Sequence, residues 1–345
     1  MRKWIVFSLG IMAAGLLSAC NSTQSKTDSA MELLQNLEYK AALAEFDAAE
    51  EAGENERLIA RGRGIAYMGL TDYDSAIANF EEALRSSDGF VQNVDFDINY
   101  YLAAAYIKKG ELLEAESAYN AILALRPNEQ EAYFLRGSVR LERGQFEPAK
   151  EDFDKVVSLA PKNYDRLIEI YKALEHFGYK EVGQDYLRSA MESAGSKMDS
   201  YDSGRMHYYL GNFQEACLEL EKSRSNGNAE SFLYLGKAYE ATGDYNYAAS
   251  VYNSYLSKDT GNAEIYNQLG MCQMAVKSYR EALNSFQAGK KLGDPAMTQS
   301  LAFNEIVAYE YLGEYKQAGI LINLYVNSYP DDEVAQREKQ FLATR

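Results

Sequence analysis

Residues 110–161 read GELLEAESAYNAILALRPNEQEAYFLRGSVRLERGQFEPAKEDFDKVVSLAP, and this stretch contains one pattern twice. Five pairs of similar residues lie 34 positions apart: Gly110 and Gly144, Leu112 and Phe146, Ala115 and Ala149, Tyr119 and Phe153, and Pro127 and Pro161. Five matches at one spacing indicate an internal repeat, and repeats of roughly 20–50 residues are typical of solenoids. The spacing therefore serves as a ruler for the whole chain, with Gly110 and Gly144 at repeat position 15.

The residue types and their order resemble the tetratricopeptide repeat, whose unit is two helices, A and B, joined by a turn. The resemblance implies small residues at repeat positions 8 and 20, where the two helices cross, and bulky apolar or aromatic residues at positions 4, 11, 17 and 24. The predicted fold is all-α, an α-solenoid of about nine repeats and roughly 19 helices. The resemblance also implies a right-handed superhelix with a concave groove lined by the A helices.

The ruler applies from residue 23 to the C-terminus and predicts a repeat domain over 30–345. A polar C-terminal segment with an acidic start is expected to form a capping helix over 333–345, in which Val334, Phe341 and Leu342 cover the last open face. The repeats lie near residues 23–56, 57–90, 96–129, 130–163, 164–196, 197–228, 229–262, 263–296 and 299–332.

Four deviations interrupt the pattern. The 34-residue spacing shifts by five residues at Val91–Asp95, which predicts a longer loop or a helix extension. It shifts by two residues at Gly293-Asp294-Pro295. Lys277 occupies position 15, where glycine is usual, and Lys180 stands where an aromatic residue is expected.

The N-terminus has the pattern of a lipoprotein leader. Arg2 and Lys3 precede an apolar run that is too short for a comfortable membrane span, and the run ends in Leu-Ser-Ala-Cys at Cys20. This resembles the bacterial lipobox, which implies a signal peptide over 1–19 and a lipid attached to Cys20. Residues 20–29 are polar and rich in Ser and Thr, which predicts a flexible tether. The protein is therefore expected on the outer side of a bacterial cell membrane or outer membrane, unless the leader is an ordinary secretory signal or an uncleaved anchor.

Composition restricts the class of ligand. Hydrophobic residues make up 47% of the chain and there are only 5 prolines, which favours a folded protein over a disordered one. The net charge is −16, so polyphosphates and nucleic acids should be repelled in the absence of a local basic patch. We expect no nucleic-acid partner.

No catalytic or metal-binding constellation stands out, so the protein is expected not to be an enzyme and to need no cofactor or metal. The chain has 2 histidines, and His207 falls at position 11, a packing position. Neither a metalloprotease motif nor a glycine-rich phosphate loop is present. Cys217 and Cys272 lie on helices separated by a whole repeat, too far apart for a disulfide, which predicts two free buried thiols.

One part of the expected groove combines cations with tyrosines. Position 9 is cationic in three successive repeats, as Lys172, Arg205 and Lys237. The alternative is that Lys172 and Lys237 are neutralised on their own helices by Glu175 and Glu240, three residues further on. The candidate groove residues are Tyr100, Lys108, Phe134, Lys172, His176, Tyr201, Arg205, Tyr208, Tyr209, Lys237 and Glu240.

Two functions remain open from the sequence. The first is a membrane-anchored scaffold that mediates protein–protein interactions in an envelope complex through its groove, with a protein or peptide as partner. The second is a lipoprotein that captures a peptide, a carboxylate or a glycan in the tyrosine-rich groove of repeats 5–7. Fold alone does not separate them.

Overall fold

The computed structural model describes residues 25–87, 89–224 and 227–345. The predicted signal peptide and Cys20 lie outside the described residues. Within the described part, the regular structure consists of 19 α-helices and one short 3₁₀ turn, Gly195–Lys197, without a β-strand. The all-α prediction is confirmed.

The helices alternate as A and B helices, and the last is single. Their bounds are α1 Lys26–Gln35, α2 Tyr39–Glu51, α3 Glu56–Gly69, α4 Tyr73–Arg85, α5 Asn93–Lys109, α6 Leu112–Leu125, α7 Gln130–Glu142, α8 Phe146–Leu159, α9 Tyr164–His176, α10 Lys180–Ala194, α11 Ser200–Leu210, α12 Phe213–Ser223, α13 Ala229–Thr242, α14 Tyr245–Leu256, α15 Ala263–Ala275, α16 Tyr279–Lys290, α17 Pro295–Tyr311, α18 Tyr315–Ser328 and α19 Glu333–Leu342.

Local sequence signals explain where many helices begin. Asn and Asp side chains cap several first turns: the Asn55 Oδ1 accepts from the backbone N–H of Leu58, and the Asp332 Oδ1 accepts from that of Ala335. Such caps satisfy N–H groups that have no partner inside the helix.

Repeat position 15 has a left-handed backbone in all nine repeats. Six of these residues are glycines, with φ between 74° at Gly313 and 88° at Gly178. The other three are Leu37, Thr71 and Lys277, with φ of 63°, 60° and 64°. Glycine adopts this conformation without steric cost, whereas a side chain with a Cβ is strained there. The shared geometry shows that the 34-residue ruler follows one recurring turn.

Helices A and B approach closely at position 8. The Phe286 ring at position 24 is fully buried, and a Cβ added to Gly270 would lie 2.7 Å from its Cδ1 and Cζ atoms. Phe46, Phe80 and Tyr252 occupy the same position in other repeats and are also fully buried. The aromatic residues at position 24 therefore fill the space between paired helices.

The chain divides into two compact units, one up to residue 155 and one from residue 156. The first unit contains α1–α7 and most of α8, and its apolar clusters lie between neighbouring helices. The second contains α9–α19, with clusters of the same kind. Each repeat thus completes its core with residues of the next, as expected of a solenoid.

The predicted tether ends earlier than expected. Helix α1 begins at Lys26 rather than near residue 30, and Ser25 caps it by accepting from Asp28 N–H at 3.0 Å. Thr27 is buried and donates its hydroxyl to Glu54 Oε2 at 2.6 Å. Residues 25–29 therefore belong to the folded array, because a polar segment can be ordered by capping and hydrogen bonding as well as by apolar contacts.

The two places where the 34-residue spacing shifts coincide with longer A helices. The segment at Val91–Asp95 is both loop and helix: the loop ends at Gln92, and α5 then runs for 17 residues. Helix α17 is also 17 residues long and starts at Pro295, where the preceding Asp294 accepts from the Ala296 N–H. Proline suits the first position of a helix because its missing N–H would have no partner there.

The cap differs in detail from the prediction. In α19, Ala335 and Leu342 are buried, whereas Val334 and Phe341 are 46% and 42% exposed. Only Leu342 of the three expected side chains covers the end of the array. Cys217 and Cys272 are free and buried, which confirms their prediction.

Candidate functional site

Three successive A helices of the second unit bring the tyrosines of repeats 5–7 together. Helix α11 contacts α9 on one side and α13 on the other. A tyrosine cluster forms where they meet, and its members are Tyr171, Tyr201, Tyr208, Tyr209 and Tyr234. The predicted Tyr201, Tyr208 and Tyr209 therefore belong to one site.

The cluster is held by ring contacts and by one hydrogen bond. The centroid of the Tyr209 ring lies 5.2 Å from that of Tyr171 and 6.0 Å from that of Tyr234, and the ring of Tyr208 lies 5.9 Å from Tyr234. The hydroxyls of Tyr209 and Tyr234 are hydrogen-bonded at 2.9 Å. Edge-to-face packing of this kind holds large aromatic groups in fixed positions.

Burial keeps the tyrosine hydroxyls protonated. It raises the pKa of Tyr209 to about 12, and it raises the pKa values of Tyr201 and Tyr234 above the usual range. The cluster therefore presents phenol groups that can donate and accept hydrogen bonds, and carries no phenolate charge near neutral pH.

Arg205 is a structural cation and is not available to a ligand. Its side chain is buried, and Nη1 lies 2.5 Å from Asp165 Oδ1, while Nη2 is paired with Asp202. The guanidinium carbon lies 4.4 Å from the centroid of the Tyr201 ring. These contacts fix α9, α11 and the tyrosine cluster relative to each other, so the Arg205 guanidinium of the candidate groove is engaged inside the protein.

Lys237 is also paired, but not with the predicted partner. Its Nζ lies 2.7 Å from Glu264 Oε1 on α15, and it forms no ion pair with Glu240. Glu240 instead accepts from the Tyr252 hydroxyl at 2.5 Å, and its pKa is raised by burial. The intrahelical neutralisation expected from the spacing is therefore wrong for this pair.

Lys172 is the remaining cation at position 9 of repeats 5–7. Its expected partner, Glu175, is taken by Lys180 at 3.2 Å and by the Tyr171 hydroxyl at 2.6 Å. No ion pair links Lys172 to a carboxylate in the described part of the chain, and its Nζ lies 5.4 Å from the centroid of the Tyr209 ring. An exposed ammonium beside the tyrosine cluster is the polar feature that a ligand can reach.

The other predicted groove residues do not join the cluster. Phe134 is buried against Phe153, with ring centroids 6.1 Å apart, so its placement in the groove is wrong. Tyr100 packs against Tyr119 and Lys108 is exposed at the end of α5, both in the first unit. His176 is exposed, with its ring edge-on to the neighbouring Phe177.

Tyr171 and Tyr234 were missed by the sequence analysis, and one of them had a detectable signal. Tyr171 stands at position 8, which is small in most repeats, and Gly183 stands at position 20 opposite it. A Cβ at Gly183 would lie 3.1 Å from the Tyr171 Cα and Cδ2 atoms. Gly183 is smaller than the alanine found at position 20 in the other repeats, and it lies against the large Tyr171 side chain, which joins the cluster.

Buried carboxylates elsewhere in the described ranges are structural. Asp152 is paired with Arg136 and Arg140 at 2.6 and 2.9 Å, and Glu305 is paired with Lys290. Residues 25–87, 89–224 and 227–345 include no cluster of His, Cys, Asp and Glu suited to a metal ion. None of the helices in the described ranges has the length and apolar character needed to cross a membrane.

Comparison with known proteins assigns the family. A sequence profile of the tetratricopeptide repeat matches residues 27–89, 61–129, 100–164 and 201–263, which together exceed half of the chain. The chain belongs to the tetratricopeptide repeat family. The match covers both compact units of this tetratricopeptide protein, and repeat proteins of the family commonly bind other proteins or peptides.

Among curated proteins, the chain is 26% identical over 206 residues to RNA polymerase II-associated protein 3 of Xenopus tropicalis, and 26% identical over 226 residues to that of Homo sapiens. These matches cover 60% and 64% of this chain but only 28% and 30% of the relatives. The crystal structure of a tetratricopeptide repeat protein from Parabacteroides merdae is 15% identical, with a TM-score of 0.47, and the match covers 73% of this chain and 99% of that one.

Proposed function

We propose that this tetratricopeptide protein is a membrane-anchored scaffold outside the cytoplasm, which holds a protein partner of an envelope complex on the tyrosine cluster. The observation that carries the proposal is the combination of the cluster with Lys172, an exposed cation without an ion-pair partner in the described residues. The lipobox-like sequence ending at Cys20 supports the anchor. The role requires no catalysis.

Tyrosines held in fixed orientations suit protein recognition. They offer a large contact area and a hydroxyl while losing little conformational entropy on binding, and Tyr and Arg are enriched among residues that dominate binding energy. Here the Arg205 guanidinium already pairs inside the protein, so the contact energy would come from the rings of Tyr208 and Tyr209 and from Lys172. The favoured partner segment carries apolar groups and an acidic side chain.

The test is recovery of partners from native membranes after cross-linking. Lys172→Glu reverses the free charge, and we expect it to lose the partner that the wild-type protein recovers. Lys222→Glu is the matched control, since Lys222 is an exposed lysine on α12 that pairs with Glu219 outside the cluster. Recovery of the same partner by wild type and by Lys172→Glu, or of none by the wild type, would contradict the proposal.

The anchor is tested separately. Metabolic labelling with a fatty acid should mark the wild-type protein and leave Cys20→Ser unlabelled. Equal labelling of both proteins would refute lipid attachment at Cys20.

A second candidate function is capture of a small peptide, carboxylate or glycan by the same cluster. The hydrogen-bonded hydroxyl pair of Tyr209 and Tyr234, surrounded by rings, favours it because sugars and carboxylates need both hydrogen bonds and flat apolar faces. A thermal-shift screen with such ligands should show stabilisation that is lost in Lys172→Glu. If no ligand raises the melting temperature, ligand capture is refuted and the scaffold role is the proposal that stands.

A further inference from the structure

A second concave site lies between α15, α16 and α17, away from the tyrosine cluster. Its volume is about 470 Å³, in the range of pockets that hold small molecules or side chains. Its walls are mostly apolar and include Met271, Met274, Val307, Tyr279 and Tyr311, and the buried Phe286 ring lies beneath them.

The walls expose apolar groups to solvent. The rings of Tyr279 and Tyr311 are stacked, with centroids 4.9 Å apart and planes 29° apart. Tyr311 is 60% exposed and Met271 is 44% exposed. Unbranched methionine side chains adapt to different contact shapes, and exposed apolar surface grouped around a concavity marks a binding site.

The pocket has few polar groups, and they have few ion-pair or hydrogen-bond partners in the described residues. Lys277 is the only charged residue among the described ones that line it, and no ion pair joins it to a described carboxylate. Its neighbour Arg280 is paired with Glu314. Asn304 donates one N–H to Asn267 Oδ1 at 2.8 Å, which leaves its own oxygen and its second N–H for another partner.

The left-handed backbone of Lys277 is not what marks the site, because Leu37 and Thr71 have the same conformation elsewhere. What distinguishes Lys277 is its place at the edge of an apolar pocket. A single cation beside apolar walls matches an occupant with an apolar group and one negative charge.

We propose that this pocket binds a polypeptide segment that presents one large apolar side chain next to an acidic side chain. The apolar group would fill the space between the methionines and the stacked tyrosines, and the carboxylate would pair with Lys277. The open mouth leaves the backbone of the segment at the surface, where Asn304 can accept an N–H and donate to a carbonyl. The inference rests on the proposed scaffold role and adds a second attachment point, built from residues that the tyrosine cluster does not use.

The test uses the purified full chain and a dye-labelled, end-blocked hexapeptide with a central Asp-Phe pair in a Gly/Ser background, followed by fluorescence polarisation. Peptides with Lys-Phe or Asp-Ser at the centre are the matched probes. We expect the Asp-Phe peptide to bind and both matched probes to bind more weakly. The Lys-Phe peptide should lose up to about fivefold because it cannot form the exposed ion pair, and the Asp-Ser peptide should bind more weakly because it lacks the apolar side chain.

Two variants locate the binding. Lys277→Gly removes the charge and relaxes the backbone, so affinity should fall about fivefold while the protein becomes no less heat-stable. Met271→Ser removes one exposed apolar wall and should weaken binding by about tenfold. Leu324→Ser changes a residue that is 61% exposed on α18, outside the pocket, and should leave binding unchanged.

Equal binding of the Asp-Phe and Lys-Phe peptides, or no binding of the Asp-Phe peptide at millimolar concentration, would overturn the proposal. Displacement of the peptide by sodium decanoate at lower concentration than by unlabelled peptide would assign the pocket to an amphiphile instead. Lys172→Glu should retain the hexapeptide, so failure of this pocket and failure of the tyrosine cluster are distinguishable.

Discussion

The close crossing of paired helices makes a sharp prediction about Gly270→Ala. The added Cβ would lie 2.7 Å from two carbons of the Phe286 ring, against 3.4–4 Å for an ordinary contact. The ring is fully buried and cannot move into solvent. Overpacking of this kind costs about 1–3 kcal/mol, and the higher helix propensity of alanine returns about 1 kcal/mol. We expect a net loss of up to about 2 kcal/mol in the free energy of unfolding, and no gain.

Gly319→Ala is the matched control. Gly319 is also inside a helix, α18, but a Cβ there would meet no atom within 4 Å. Because the substitution causes no clash, only the higher helix propensity of alanine acts, and this variant should be more stable than wild type by about 0.5–1 kcal/mol. Urea denaturation followed by circular dichroism compares the variants, and hydrogen exchange shows whether the loss in Gly270→Ala is centred on α15 and α16. Equal stabilisation by the two substitutions would refute the packing argument.

Two further predictions concern the turns and the C-terminal repeat. Leu37→Gly should raise stability by about 0.5–1 kcal/mol, because Leu37 is exposed and its left-handed backbone is strained. Gly110→Ala should lower stability by a similar amount, and the same urea denaturation measures both variants. Burial and the nearby Glu338 carboxylate raise the pKa of Glu310 to about 7, above the ordinary 4.5. The folded state therefore holds a proton that the unfolded state has released, so this stabilisation is complete below pH 4.5 and is lost as the pH rises through 7. The melting temperature of the wild type should fall between pH 5 and pH 8 by more than that of Glu310→Gln, and parallel profiles would contradict this.

Most of the fold could be predicted from the sequence because its signals are local. The turn residue, the small crossing residue and the buried aromatic recur at fixed positions within a single repeat, as Gly243, Gly236 and Tyr252 do in repeat 7. The start of the array was predicted less well. Thr27 is held by Glu54 from the loop between α2 and α3, and a hydrogen bond across 27 positions leaves no periodic pattern.

The candidate site was predicted in part. The positions of Tyr201, Tyr208 and Tyr209 on α11 followed from the ruler. Tyr234 has no deviation from the repeat pattern that would have singled it out. Phe134 was misplaced because its ring is buried beside that of Phe153 on the paired helix, a contact that the repeat position alone does not indicate.

The sequence by itself determined the repeat period, the recurring turn and the residues that fill the space between paired helices, because these depend on contacts within one unit of 34 residues. The tertiary structure alone decided which cations are free. Arg205 is paired with Asp202 on its own helix and also with Asp165, 40 positions away, and Lys237 is paired with Glu264, 27 positions away. Lys172 and Lys277 have no such partner in the described residues. Ion pairing depends on which helices stack side by side, and a single repeat does not contain that information.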